Sequence, residues 1–101
     1  MGISLEKIEK WERKKNAKKL IRALGDDSVE IRTRAIRALA VIDDPEIRLA
    51  AVETLGVIGS GRTAEFVRAL LDKEKETRVI EAAKYALAQI KEKMKEQDRI
   101  A

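Results

Sequence analysis

Few side chains in this sequence can do chemistry, and those that can are clustered. Two adjacent carboxylate pairs, Asp26-Asp27 and Asp43-Asp44, offer oxygen ligands to a hard cation or an acid–base couple. Gly59-Ser60-Gly61-Arg62 has the look of a turn that cups a phosphate. Six cations, Arg13, Lys14, Lys15, Lys18, Lys19 and Arg22, fall in one stretch with no acid among them, and such a run can meet the phosphates of a nucleic acid. Each cluster also has a plainer account. Both acidic pairs stand where a helix begins, where capping of free backbone amides uses them. The glycine turn lacks the Gly-Lys-Ser/Thr ending of a phosphate loop, and no strand precedes it. The basic run is equally a solvated helix face. Histidine and cysteine are absent, which removes the commonest general base, the commonest metal ligand, thiolate chemistry and disulfides. The expectation is therefore no catalytic residue, no metal ligand and no cofactor.

Helices have to position these groups. Hydrophobic residues are 45% of the chain but aromatics only 3%, namely Trp11, Phe66 and Tyr85, so the core is aliphatic. That suits closely packed helices and gives little support to a sheet. Periodicity and punctuation predict an all-α fold of about five helices in one domain, residues 1–101. The first helical region runs over 4–24, the others over 28–42, 45–58, 63–72 and 75–97, and the tail 98–101 frays. Gly25 is expected to end the first region with positive φ. Asp27 is expected to cap the second helix, with Glu30 as the return half of a capping box. Asp44 fits the N-cap of the third, Pro45 its first position, and Ser60 or Thr63 the cap of the fourth. Connections of two to four residues make sequential helices pack antiparallel.

A sixteen-residue segment is followed at once by a near copy. Residues 27–42 read DSVEIRTRAIRALAVI and residues 43–58 read DDPEIRLAAVETLGVI, with identity at 27/43, 30/46, 31/47, 32/48, 35/51, 39/55, 41/57 and 42/58. A weaker copy follows at Val79, Ala83, Leu87 and Ile90, with Ile80 in place of the arginine. A second unit recurs as Leu20-Ile21-Arg22-Ala23-Leu24 and Phe66-Val67-Arg68-Ala69-Leu70. This pattern resembles the HEAT-like repeats of the armadillo-like α-solenoids, over about residues 17–91. The resemblance implies a right-handed stack of antiparallel helix pairs that presents a surface, and no particular activity. It also implies that Arg32 and Arg48 pair with aspartates of the adjoining turns, among them Asp27 and Asp43. The order of helices is irregular for the family: two inner-type helices, 28–42 and 45–58, meet where an outer one should intervene. Helix 45–58 is apolar nearly all round, so it is expected at the centre of the stack, and its Gly56 to admit a close neighbour.

The N-terminal region carries a second irregularity. Leu5, Ile8 and Trp11 centre on one side of a straight helix, and Ala17, Leu20, Ile21 and Leu24 on nearly the opposite side. Either the helix breaks near Lys15-Asn16 and folds back, or residues 1–16 form an amphipathic arm beside a stack of 17–97. In the second case Leu5, Ile8 and Trp11 are the interface of a homo-oligomer. Arg34, Arg37 and Tyr85 are further exposed candidates. Charge is uneven: residues 1–24 carry eight Lys/Arg against three Glu, within a total of +4. Together these features predict a non-enzymatic protein–protein interaction scaffold that associates with itself. The alternative is a nucleic-acid-binding module with phosphate contacts at Lys14, Lys15, Lys18 and Lys19. Charged residues at 40% with few amides fit a thermophilic or designed protein. The start, MGISLEKIEK, has no apolar signal region and no stretch approaches a membrane span, so a cytoplasmic protein without membrane contact is expected.

Overall fold

The computed structural model describes residues 2–100, and they are all-α. Among the described residues there are six helices: α1 Leu5–Arg13, α2 Ala17–Ala23, α3 Val29–Ala40, α4 Pro45–Ile58, α5 Gly61–Lys73 and α6 Thr77–Ile100. The count exceeds the expected five because residues 4–24 form two helices. Opposed apolar stripes cannot face one core from a single rod, and the chain breaks between them. Lys15 takes the left-handed conformation, φ 53°. The Asn16 amide then donates to the Trp11 carbonyl at 2.9 Å and the Ala17 amide to the Lys15 carbonyl at 2.9 Å. Asn16 caps α2 by accepting from the Lys19 amide at 3.3 Å. With the reversal made, Ile8 of α1 and Leu20 of α2 are both fully buried.

The chain divides into two compact units, residues 1–51 and 52–101, and the division falls inside α4. In the first unit α1 packs on α2 and on α3, and α2 packs on α3. Helix α1 is thus a packed part of this unit and not an arm apart from it. Its buried side chains include Ile8, Leu20, Leu24, Ile31, Ala35 and Leu39. In the second unit α5 packs on α6, and Val52, Leu55, Val67, Val79, Ala83 and Ile90 are buried.

Local chemistry sets most helix starts. Ser28, not Asp27, caps α3, accepting from the Ile31 amide at 3.4 Å. Serine wins because Asp26 accepts from the Ser28 amide at 3.0 Å and so closes the turn one residue later than expected. Asp44 starts α4 as expected: its carboxylate accepts from the Glu46 amide at 3.0 Å and its carbonyl from the Ile47 and Arg48 amides at 3.1 Å. At α5, Ser60 and Thr63 form a reciprocal capping box. Gly59 ends α4 with φ 68°, whereas Gly25 keeps negative φ, because α2 closes through tight bonds from the Gly25 and Asp26 amides to Arg22 and Ala23. Of the tail expected to fray, residues 98–100 continue α6, and Ala101 lies outside the described residues. The apolar stripe of α6 leaves the core after Ile90, and Met94 is 41% exposed.

Helix α4 is not covered on every side. Ala51, Val52, Leu55 and Gly56 are buried, but Glu53 and Val57 face outward. Within the second unit its close neighbour is α6. A Cβ built at Gly56 would lie 3.0 Å from the Ala86 Cβ and 3.1 Å from the Ala86 Cα, so Gly56 admits a close approach as its position in the repeat suggests. The Lys93 ammonium of α6 donates to the Val57 carbonyl near the end of α4. No helix among the described residues is long and apolar enough to cross a membrane.

Candidate functional site

The two repeated arginines are structural. Arg32 Nη1 donates to the carbonyls of Asp26 at 2.6 Å and Asp27 at 3.0 Å. Arg48 Nη1 donates to the Ile42 carbonyl at 3.2 Å and lies 3.9 Å from the Asp43 carboxylate. Each therefore reaches back six residues to a backbone carbonyl of the preceding turn, and the sixteen-residue offset of the sequence becomes a sixteen-residue offset of the same bond. The expected partner type holds for Arg48 and Asp43. It needs correction for Arg32, which takes the Asp27 carbonyl and not its carboxylate. A turn carbonyl outside the helices has no intrahelical donor, and the Arg32 Nη1 group satisfies two of them at once.

The Asp26 carboxylate is held at two points. It accepts from the Ser28 amide at 3.0 Å and the Ile3 amide at 2.9 Å, tying the lead-in of α1 to the corner between α2 and α3. The Ser28 amide first, and the Ile3 amide second, hold its carboxyl below the usual aspartate value. Among the described residues no three acidic side chains gather to hold a metal ion.

The expected interface of Leu5, Ile8 and Trp11 does not form one open stripe. Ile8 is 0% exposed, because α1 folds back and spends that side chain on the core of its own unit. Leu5 is 39% exposed. Trp11 is half-buried, with the Lys19 ammonium 5.6 Å from its ring centroid. Arg34 is also engaged: it lies 3.4 Å from Glu12 and 4.0 Å from Glu9, fastening α3 to α1. Arg37 is exposed, as are Lys14, Lys15, Lys18 and Lys19.

The open apolar surface lies elsewhere. In the second unit a groove of about 550 Å³ is lined by Val57, Ala82 and Tyr85 together with Glu53, Arg78, Glu81 and Gln89. Val57 is 63% exposed and Tyr85 67%. Tyr85 stands out in the sequence because it lies opposite the Val79/Leu87 stripe. Val57 does not, because α4 is apolar nearly all round. Val57 and its counterpart in the other copy, Val41, are both exposed, Val41 at 82%. No protein-family model matches this chain, and no curated protein or solved structure matches it either.

Proposed function

We propose that the chain is a non-enzymatic protein-interaction scaffold built of HEAT-like helix pairs, and that it associates with a second copy of itself. The observation that carries this reading is the groove of Val57, Ala82 and Tyr85. A rigid aromatic beside exposed aliphatic carbon is the usual composition of an interface anchor. The lining also carries both signs of charge, Glu53 and Glu81 with Arg78. Two copies related by a two-fold axis can set acid against base across such a groove. The HEAT-like part of the reading draws on the duplicated segments and on the matching back-bonds of Arg32 and Arg48.

Sedimentation equilibrium from low to high micromolar concentration tests it. The mass should rise above the 11.4 kDa of one chain toward twice that value. Tyr85→Glu and Val57→Glu, both at exposed positions, should keep the helical circular dichroism and weaken association by about 30-fold or more, the scale of an interface anchor. A monomer at the highest concentration, or an oligomer indifferent to both substitutions, would overturn the proposal.

A further inference from the structure

We infer that the corner between α1 and α2 binds the phosphate backbone of duplex nucleic acid, without reading its sequence. This surface belongs to the first unit and is separate from the Val57/Tyr85 groove.

The charge there is concentrated and uncompensated. Arg13, Lys14, Lys15, Lys18, Lys19 and Arg22 are all exposed. Among the described residues none of the six makes an ion pair, whereas Arg34 and Arg48 do. The nearest carboxylates along the preceding helix are Glu9 and Glu12, and Arg34 of α3 engages both. The acids that would have damped the corner are thus neutralised from the other side. The left-handed turn at Lys15 folds the run back on itself, so the cations are carried by two packed helices and their link instead of one rod. Lys18 and Arg22 fall four apart on one face of α2, while Lys19 crosses to Trp11 of α1.

The chemistry of the corner selects among polyanions. Four of the six cations are lysines, point charges on flexible stems. These suit sequence-independent contact with a repeating array of phosphates, and the two arginines add forks that match a phosphate's oxygens. An anionic membrane wants an apolar wedge beside the charge. Here Leu20 is buried, and Ile21 and Trp11 are half-buried. Single strands are held by open aromatic platforms. The sole aromatic at this corner is Trp11, with a lysine over its ring. A duplex asks only for positive charge along its backbone, and that is what the corner offers.

The test is fluorescence anisotropy with a labelled DNA duplex at rising salt. Each phosphate contact contributes about −0.9 to the slope of log affinity against log salt, so four contacts predict a slope near −3.6 and about a 150-fold loss between about 50 and 200 mM. The variant K14E/K15E/K18E should lose most of that slope. K84E/K91E/K95E, which changes net charge equally at exposed positions of α6, should keep it. Trp11 emission should shift on duplex binding as Lys19 leaves the ring for a phosphate, a readout in the unmodified chain. The inference is overturned by no binding at low salt, or by equal losses in the two variants. It is also overturned by tighter binding to a single strand of the same length, to phosphatidylserine vesicles or to polyglutamate.

Discussion

A methyl group added at Gly56 would stand 3.1 Å from the Ala86 Cα, and Ala86 has no flexible end to move aside. Alanine would favour the helix by about 1 kcal/mol, whereas overpacking of a fitted contact costs about 1–3 kcal/mol. Gly56→Ala should therefore destabilise the protein by about 1 kcal/mol in urea unfolding, against the propensity ranking. Asp26 makes a prediction in pH. Its carboxyl is held low in the folded chain by the Ser28 and Ile3 amides. The stability it contributes is complete above the ordinary aspartate value and is lost as pH falls through the lower folded one. Asp26→Asn should be less stable than the parent at neutral pH, and the difference should shrink as pH falls below about 4. Urea midpoints across that range check it, and a constant difference would refute it. At this scale the sequence was informative about which residues matter and less so about which atoms. Residue type does not say whether Asp27 offers a carboxylate or a carbonyl, because that depends on where the turn closes.

Element boundaries follow the same logic. The conflict between the Leu5/Ile8/Trp11 stripe and the Leu20/Leu24 stripe was visible as an angle, and the break at Lys15-Asn16 was one of its two solutions. What the angle could not supply was the destination of Ile8, since burial depends on α2 and α3 closing over it. The break rests on one residue in an unfavourable conformation, φ 53° at Lys15. A β-branched side chain there should be poorly tolerated: Lys15→Val should destabilise by about 1–2 kcal/mol. Lys15→Gly should be neutral or mildly stabilising, since relief of that strain opposes the extra chain entropy of glycine. Thermal unfolding of the pair by circular dichroism checks the ordering, and equal melting points would show that the turn carries no strain. The tail illustrates the opposite error. The tail 98–101 is expected to fray as a chain end, yet α6 carries on through residue 100, and its exposed C-terminal part holds a Glu92–Lys95 pair at 3.9 Å.

For the molecule as a whole, the all-α class was legible from the aliphatic, aromatic-poor composition and the three- and four-residue spacing. The division at Ala51/Val52 was not. Periodicity reports which face of a helix is apolar, and α4 is apolar nearly all round, so nothing local marks where one cluster ends. The same uniformity hid Val57, whose exposure is set by which faces the neighbours leave open. The two proposed surfaces also separate at this scale: apolar with mixed charge in the second unit, purely cationic in the first. Salt therefore distinguishes them, for screening removes phosphate contacts and leaves aromatic burial largely intact.

The arginine bonds at the two duplicated corners have a consequence for synthesis. Arg32 fastens to residues 26 and 27, and Arg48 to residue 42, always toward the N-terminus. Each of these bonds thus joins a corner to an arginine that follows it by only five or six positions. A chain emerging from the ribosome can complete one bend before the next copy has left the exit tunnel, and each added copy anchors itself to peptide already made.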